Sequence, residues 1–542
     1  MRNGNARRLK NVATAQWDFA QLRKHDAFVY VDKTDMLARL AMKDPDAIYF
    51  IARPRRFGKS LMLSTFKCMF EGRKELFRGL KIMKSGWDWK KKYPVVMLDM
   101  QNLKSTTAAG LSKNLLGAVR SIAQQFGLRV AWKNSNDVGE AFSECLRALA
   151  AKKGRFVVLV DEYDVPLQGF LGKPELETVR GILHDFYSAF KSNVGSIRFL
   201  MMTGVSKFTK LSVFSSLNNL ADLTINYGDY AALLGYTHDE LKVYFCGHVA
   251  ALGQRLGKTP DETYRSLLSW YDSYRFSPYS ETQVVNPVAL GEAFNAGALS
   301  SFWSQTGMPT LILERLQASS VRPDQLSSVV ARPNDLDVCD ARDLPWLPLL
   351  YQAGYLTIKD VTWETTDEEG GDVPRPVMTL GIPNFEVRDT LNGQWWKTLM
   401  QMDEQDFKAL VHVAEKQIAA GDIDGLISET LYQLYAKLPP TWTPKTEQDA
   451  KRYFLLFMEM AGARMQPEKP SARGFADAVI ETRKGVWIFE FKFNRSAASA
   501  VRQIRDRGYA EPYRKVGLPV TLVGIKFDPK RKNIVLPAFE PL

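Results

Sequence analysis

Four short apolar runs, separated by long helical stretches, constrain the first part of the chain more than any other feature. They read AIYFIA at 47–52, VVMLDM at 95–100, FVVLVD at 156–161 and IRFLMMTG at 197–204. Strands that are apolar on both faces are typical of parallel sheets, because helices cover both faces of such a sheet. The sequence therefore predicts an α/β fold here, with a parallel sheet and helices on both faces.

The remaining sequence indicates two further domains in this 542-residue chain. A mostly helical middle module is expected, with a small β element formed by GYLTIKDVTWE and RPVMTLGI. A polar helix over 403–438 precedes a compact α/β unit, which we read as helix 446–461, strand 474–481, strand 485–493, helix 496–512 and strand 518–526. The predicted domains are 1–235, 236–400 and 401–542.

The segment AIYFIARPRRFGKSLMLSTF at 47–66 has the order of a phosphate-binding loop: a buried strand, a loop and an amphipathic helix. Gly58 allows close approach of the backbone, Lys59 reaches the β- and γ-phosphates, and Ser60 ligates Mg²⁺. Arg53 occupies the usual first glycine position. Together with Arg55 and Arg56 it adds positive charge where phosphates would bind, and Arg56 is our candidate for direct contact.

The strand FVVLVD ends in two carboxylates that complete such a site. Asp161 is expected to hold Mg²⁺, and Glu162 to polarise the attacking water. Thr203, at the end of the next strand, is placed to sense the γ-phosphate. An acidic turn after a strand is common by itself, but the phosphate loop about 100 residues upstream favours the functional interpretation.

Longer blocks of the sequence resemble the AAA-ATPase-like family of bacteria and archaea. The blocks are YVDKTDML at 30–37, RPRRFGKS at 53–60, VDEYDVPL at 160–167, TGVSKF at 203–208, SLNNLADLT at 216–224, WYDSYRF at 270–276, the Asn-Pro pair at 286–287 and AGYLTI at 353–358. The resemblance covers most of the chain. It implies ATP as the nucleotide and an AAA+-like sheet, and in this family Arg53 is part of the usual loop.

The C-terminal unit contains a second set of polar residues. In GVWIFEFKF, at 485–493, alternation puts Glu490 and Lys492 on one strand face. Taken alone, the two are the solvated face of a half-exposed strand, or charges that protect an edge strand. However, Asp477 interrupts a run of small and apolar residues on the preceding strand, and adjacent strands would bring it beside Glu490. Paired carboxylates bind Mg²⁺, which activates water, and Lys492 can position that water.

Asp477 followed by Glu490-Phe491-Lys492 is the arrangement of the PD-(D/E)xK nucleases, whose fold is the restriction-endonuclease-like α/β fold. The resemblance implies two more site residues. Glu447, on the preceding helix, is a further acidic ligand, and Gln503 matches the QI…Y pattern of such domains fused to AAA-ATPase-like proteins. Tyr509 completes that pattern. Ala476 replaces the proline of the first motif.

The formal net charge of +12 and the isoelectric point of about 9.2 favour an anionic partner. We expect nucleic acid, and DNA before RNA. No apolar stretch follows the basic N-terminus and no run of about 18 apolar residues exists, so neither a secretory signal nor a membrane partner is expected, and the cytoplasm is the expected location. No arginine finger can be identified, which leaves the oligomeric state open.

Three functions fit these patterns. The first is an ATP-binding and ATP-hydrolysing protein coupled to a Mg²⁺-dependent nuclease, with Mn²⁺ as an alternative metal, that cleaves phosphodiester bonds in nucleic acid. The second is a nucleotide-dependent switch or scaffold whose nuclease-like domain binds without cutting. The third is an ATPase that remodels a protein or nucleic acid. A defence or mobile-element role is an analogy with the family only.

Overall fold

The computed structural model describes most of the chain, and the statements below concern these residues alone. They are residues 9–15, 18–24, 27–44, 47–130, 137–207, 220–303, 310–319, 321, 323–337, 345–365, 374–400, 404–438, 440–463, 465–471, 474–514 and 517–542. Contacts divide the chain into two units. The first comprises 1–321 and 325–388, and the second 322–324 and 389–542. The domain boundaries at residues 235 and 400 remain predictions.

The first sheet of the first unit is fully parallel and has the spatial order β2-β3-β4-β1-β5. Both β1 and β3 are buried along their whole length, as their continuous apolar sequences predict. The strands are β1 Ile48–Ala52, β2 Val95–Asp99, β3 Phe156–Asp161, β4 Ile197–Gly204 and β5 Leu220–Asp222. The four predicted strands are confirmed, and β5 was not predicted.

The helices of this part of the chain lie before β1 or between successive strands. They are α1 Phe19–Lys24, α2 Thr34–Lys43, α3 Lys59–Phe70, α4 Ala108–Gln125, α5 Val138–Lys153, α6 Val165–Gln168 and α7 Leu176–Ser192. Side-chain caps fix several starts: Thr107 accepts the Gly110 N–H before α4, and Asp137 accepts the Glu140 N–H before α5. The strand β1 runs into the loop that precedes α3.

The rest of the first unit is mostly helical, as predicted. Its helices are α8 His238–Leu256, α9 Pro260–Tyr271, α10 Pro287–Ala296, α11 Thr310–Ala318, α12 Pro333–Asp337 and α13 Trp346–Ala353. Capping boxes start α8 and α9. The predicted strand pair is present in an antiparallel sheet of order β6-β8-β7, with β6 Val329–Ala331, β7 Thr357–Glu364 and β8 Arg375–Gly381. The connecting residues 366–373 lie outside the described residues.

The later helices are α14 Phe385–Met400, α15 Glu404–Ala420, α16 Ile423–Gly425, the π-helix Leu426–Leu431, α17 Tyr432–Ala436, α18 Glu447–Met460 and α19 Ala497–Asp506. The single helix predicted over 403–438 is therefore wrong. Gly421 adopts a φ of 77° and Asp422 then caps a new start by accepting the Gly425 N–H. The predicted helix 496–512 also stops earlier, because Gly508 has a φ of 66°.

The second unit contains a mixed sheet of order β13-β12-β11-β10-β9. Its strands are β9 Met465–Ser471, β10 Gly474–Glu481, β11 Val486–Lys492, β12 Val520–Asp528 and β13 Asn533–Pro541. Here β10 pairs antiparallel with β11, whereas β11 and β12 run parallel. The helix α19 packs on β11 and β12 over an apolar cluster that includes Val479, Ile488 and Ile504. This α/β unit confirms the predicted fold class.

Candidate phosphate-binding and nuclease-type sites

The loop between β1 and α3 forms the floor of a cavity of 460 Å³ in the first unit, within the range of roughly 300–1,000 Å³ typical of ligand pockets. Gly58, with a φ of 92°, directly precedes α3, so the helix begins at Lys59. Free N–H groups and the positive end of the helix dipole are therefore available to bind an anion at this point. Arg56, Gly58, Lys59 and Ser60 all line the cavity, as does Glu162.

Lys59 is buried and its ammonium group binds only backbone atoms among the contacts seen here. Nζ donates to the carbonyl oxygens of Arg53 at 2.8 Å and Pro54 at 2.9 Å. Burial lowers the pKa of Lys59, although the charges of Asp161, Glu162 and Asp164 oppose that shift. The lysine charge is therefore held beside neutral dipoles at the point where phosphate would bind.

Arg53 does not contribute its charge to the cavity, contrary to our expectation. Its guanidinium donates to the carbonyl oxygens of Ala52 at 2.9 Å and Thr224 at 2.8 Å, and lies 4.3 Å from the centre of the Phe276 ring. Burial lowers the pKa of Arg53 to about 10. Arg53 thus ties the loop to the segment after β5, and of the three loop arginines Arg55 and Arg56 line the cavity.

The carboxylates at the end of β3 have different surroundings. Asp161 is buried, and its Oδ1 accepts a hydrogen bond from the Thr203 hydroxyl at 2.6 Å. Neither Asp161 nor Thr203 lines the cavity, so the expected contact of Thr203 with the γ-phosphate stays a prediction. Glu162 does line it, with a strained φ of 51°, and burial raises its pKa.

Sequence reasoning missed Asp164, which is fully buried one turn later. Its carboxylate accepts the Ser206 N–H at 2.9 Å and the Gln168 amide at 2.8 Å. It therefore connects the loop after β3 to the loop after β4 and fixes both next to the cavity. Its position as the third acid of VDEYD was the available signal. The cavity walls contributed by Tyr30, Leu233 and Tyr236 were also not predicted.

The second unit brings the predicted nuclease residues together. The β10–β11 register places Ala478 opposite Phe489, which brings Asp477 to the level of Glu490. Asp477 Oδ2 accepts the Phe491 N–H at 2.8 Å. All of β11 is buried, so the half-exposed, solvated strand face that we weighed for Glu490 and Lys492 is wrong. The helices α18 and α19 cover that strand.

Lys492 lies between two carboxylates. Its Nζ is 3.0 Å from Glu490 Oε1 and 3.3 Å from Glu447 Oε1, and it also donates to the Phe491 carbonyl oxygen at 2.7 Å. Burial by itself lowers the pKa of Lys492, but the charges and hydrogen bonds of Glu490 and Glu447 outweigh burial and raise it. Lys492 is therefore a charged partner of both carboxylates.

Glu490 is the most perturbed acid of this group. Burial, reinforced by the charge of Asp477, raises the pKa of Glu490 to about 7. The Gln503 amide donates to Oε1, whereas Oε2 is buried without a hydrogen-bond partner in the described residues. A buried carboxylate oxygen with no donor is a suitable ligand for a hard cation. The predicted Tyr509 lies beyond the end of α19 and packs in the apolar cluster.

Lys451 is a site residue that the sequence analysis did not identify. It lies one helical turn after Glu447 on α18, and its buried Nζ is 3.0 Å from Asp477 Oδ1. The i,i+4 spacing of Glu447 and Lys451 was the signal that could have revealed it. Within the described ranges, no group of three or more acidic, histidine or cysteine side chains is arranged to hold a metal ion.

A cavity of 540 Å³ opens beside Lys492. Glu447, Lys492 and Gln503 line it, together with the basic residues Lys445 and Arg495. One carboxylate residue, Glu447, therefore borders this open space together with Lys492 and two flanking cations, whereas Asp477 and Glu490 do not line it. Within the described part of the chain, no helix is long and apolar enough to cross a membrane.

Fold and sites together define a protein with an ATPase-type parallel sheet in one unit and a nuclease-type mixed sheet in the other. Residues 15–214 match a family model described as a predicted AAA-ATPase, and residues 445–536 match one for the PD-(D/E)XK nuclease superfamily. A protein of Azotobacter chroococcum mcd 1, described as "Uncharacterized protein in vnfD 5'region", is 31% identical over 527 residues, 95% of this chain and 96% of that protein. The chain belongs to the AAA-ATPase-like family with a C-terminal PD-(D/E)XK nuclease-superfamily domain.

Two solved structures from Aeropyrum pernix are also similar. The ORC1 protein, in complex with DNA, is 11% identical with a TM-score of 0.24 over 66% of this chain and 90% of that one. The ORC2 protein, in ADPNP–ADP complexes, is 11% identical with a TM-score of 0.24 over 80% of this chain and 85% of that one.

Proposed function

We propose that this protein binds and hydrolyses ATP in its first unit and, in its second, cleaves phosphodiester bonds of nucleic acid in a Mg²⁺-dependent reaction. DNA is the proposed substrate before RNA. One observation carries the nuclease half: the Lys492 ammonium bridges Glu490 and Glu447 while Gln503 binds the same Glu490 oxygen. This is a set of groups suited to orienting water and stabilising charge on a phosphoryl group.

In the ATP site, the roles follow from position. The N–H groups at the start of α3 and the Lys59 ammonium bind the phosphates, with Arg56 at the wall of the cavity. Ser60 and Asp161 are the residues that would hold Mg²⁺. Glu162 then orients the attacking water, since it lines the cavity next to the loop.

In the nuclease-type site, Asp477, Glu490 and Glu447 are the residues that would hold Mg²⁺ or Mn²⁺. When bound, such an ion supplies Lewis-acid stabilisation of the phosphoryl oxygens and lowers the pKa of water. Lys492, which Glu490 and Glu447 keep charged, positions the attacking water as a hydrogen-bond donor. Gln503 fixes the orientation of Glu490 through their hydrogen bond. Lys445 and Arg495 bind neighbouring phosphates of the nucleic acid.

A second candidate is a nucleotide-dependent switch whose nuclease-like domain binds nucleic acid without cutting it. One observation favours this alternative: lysines neutralise the three carboxylates, which do not converge on one point in the described structure. The remodelling ATPase also remains a hypothesis. Activity measurements separate these functions.

The deciding experiment is a cleavage assay on labelled single- and double-stranded DNA and RNA in Mg²⁺ or Mn²⁺, with and without ATP. Wild type is compared with Lys492→Ala, Lys59→Ala and the control Lys484→Ala, whose exposed lysine lies in the turn between β10 and β11. We expect cutting that Lys492→Ala abolishes and Lys484→Ala preserves. Loss of ATP turnover in Lys59→Ala tests the first unit.

Each outcome has a clear meaning. If wild type cuts nothing but binds nucleic acid in a nucleotide-dependent way, the switch replaces the nuclease. If Lys492→Ala cuts as well as wild type, the cleavage comes from a contaminant or another site. If Lys59→Ala changes ATP turnover but not cutting, the two units work independently and ATP does not gate the nuclease.

A further inference from the structure

The three carboxylates of the nuclease-type site are each in contact with a lysine. Lys492 contacts Glu490 at 3.0 Å and Glu447 at 3.3 Å, whereas Lys451 contacts Asp477 at 3.0 Å. When all three carboxylates are ionised, these three negative and two positive groups leave a net charge of only −1. A divalent cation that approaches these oxygens therefore meets two ammonium groups that already bind them.

The two lysines come from different elements of the fold. Lys492 also donates to a backbone carbonyl and belongs to the motif itself. Lys451 comes from α18, one turn after Glu447, and its side chain is only 7% exposed. A buried ammonium group is stable only with a partner, and Asp477 supplies that negative charge. Asp477 in turn is anchored by the Phe491 N–H on its other oxygen.

We propose that Lys451 is a built-in counter-cation that competes with the divalent metal for Asp477. This inference rests on the proposed metal-dependent function of the same site. Lys451 holds Asp477 in place while metal is scarce, and the metal must displace the ammonium group from Oδ1 to bind there. Lys451 is thus a positioning residue that sets the metal concentration at which the site fills.

Coulomb's law gives the direction of the effect. A unit positive charge within about 4 Å of a cation ligand weakens cation binding strongly at the effective dielectric of a protein site. Removing the Lys451 charge leaves Asp477 free to bind metal without competition. Water and neighbouring groups screen much of the interaction, so we expect affinity for Mn²⁺ to rise about tenfold in Lys451→Met.

The test is calorimetric titration of Mn²⁺ into the full-length chain without nucleotide or nucleic acid. Asp477→Asn identifies the heat that belongs to this site. Arg452→Met is the charge-matched control, because Arg452 is the next residue of α18 and faces Asp449 at 3.6 Å. We expect tighter binding in Lys451→Met and in a second variant, Lys451→Gln, with Arg452→Met within about twofold of wild type. Circular dichroism verifies folding.

Equal or weaker Mn²⁺ binding in both folded Lys451 variants would overturn the inference, as would a wild-type titration that Asp477→Asn leaves unchanged. An equal gain in Arg452→Met would also overturn it, because general charge and not contact with Asp477 would then explain the effect. Failure of the nuclease proposal is distinguishable: Mn²⁺ bound through Asp477, with no cleavage of any substrate, refutes the nuclease and leaves the role of Lys451 standing.

Discussion

Two buried lysines occupy the centres of the two sites, and their surroundings are opposite. Lys59 is 5% exposed and Lys492 is 7% exposed, so burial is nearly the same. The ammonium group of Lys59 binds two neutral carbonyl oxygens, of Arg53 and Pro54. The ammonium group of Lys492 binds two carboxylates, of Glu490 and Glu447, in addition to one carbonyl oxygen.

The pKa shifts follow from this difference. Burial lowers the pKa of Lys59, whereas the carboxylates around Lys492 overcome burial and raise its pKa. Lys59 therefore has an incompletely compensated charge, which suits the binding of an anionic ligand. The charge of Lys492 is compensated by Glu490 and Glu447, so this lysine is suited to orienting those two carboxylates. The two lysines thus differ in pKa mainly because carboxylates bind the ammonium group of Lys492 directly, whereas carbonyl oxygens bind that of Lys59.

The largest expected effect is on local stability. Lys492→Met leaves Glu490 and Glu447 without their shared counter-cation. We therefore expect the free energy of opening of β11 to fall by about 3 kcal/mol. Lys59→Met removes only hydrogen bonds to neutral carbonyl groups, so we expect β1 to change by about 1 kcal/mol. Hydrogen exchange measured by mass spectrometry reads each strand separately, which suits a chain of two units.

Two surface variants serve as controls for that comparison. Lys484→Met near β11 and Lys67→Met on α3 remove a positive charge without touching either site, and we expect little change from them. Because burial raises the pKa of Glu490 to about 7, its carboxylate takes up a proton as the pH falls, and the loss in Lys492→Met should shrink between pH 7 and 5. Equal losses at both sites would refute the contrast between neutral and charged neighbours.

The motif aspartates of the two sites also differ in whether their hydrogen-bond partner is neutral or charged. Asp161 accepts a hydrogen bond from the neutral Thr203 hydroxyl at 2.6 Å, whereas Asp477 is held by the Lys451 ammonium. Thr203→Val removes the donor and lets Asp161 reorient. We expect ATP turnover to fall about tenfold with little change in ATP affinity, since one hydrogen bond to a charged group contributes about 1.5–3 kcal/mol.

Steady-state turnover and nucleotide titration of the same preparations measure this effect. Thr203→Ser keeps the hydroxyl and should retain most of the activity. If the serine variant is as slow as the valine variant, Thr203 acts through packing against its neighbours. If ATP affinity falls along with turnover, Thr203 contacts nucleotide directly, and its hydrogen bond to Asp161 would not explain the effect.

Much of the fold was predictable because its strands are apolar and continuous. The predicted β3 and β4 have the observed bounds, and β1 and β2 differ by one residue at one end. Four of the described strands were missed: β5 and β6 have three residues each, β9 reads MQPEKPS, and β13 is an edge strand after the last predicted one. The helical periodicity also predicted one helix where α15 and several shorter helices are found. A single Gly421 with positive φ interrupts a pattern that is otherwise helical.

Motif residues were predictable where local spacing or strand alternation determines contact. Asp477, Glu490 and Lys492 meet as expected because neighbouring strands align them. The directions of long side chains were not predictable. Arg53 belongs to the loop motif, but its guanidinium turns away to carbonyl groups of another segment. Lys451 belongs to none of the sequence motifs, and only the packing of α18 against the sheet brings it to Asp477.

The smallest expected effect concerns a cation at the wall of the cavity that we propose binds ATP. Arg56 is half-buried and has a φ of 69°, a left-handed conformation that is unfavourable for residues with a Cβ. Arg56→Ala removes the charge and keeps the strained backbone, whereas Arg56→Gly removes both. We expect ATP affinity to fall about threefold in each, since solvent screens a partly exposed charge, and only Arg56→Gly to gain about 1 kcal/mol of stability.

Nucleotide titration together with thermal unfolding separates the two contributions of Arg56. A loss of affinity near that of Lys59→Ala would show that Arg56 binds phosphate as directly as Lys59 does. The expectation that Arg56 contributes less than Lys59 to ATP binding would then be wrong. A gain of stability in both variants would mean that the charge, crowded by Arg55 and Lys59, is the unfavourable element and not the backbone angle. If Arg56→Ala and Arg56→Gly differ in ATP affinity but are equally stable, the φ of 69° positions the loop for nucleotide.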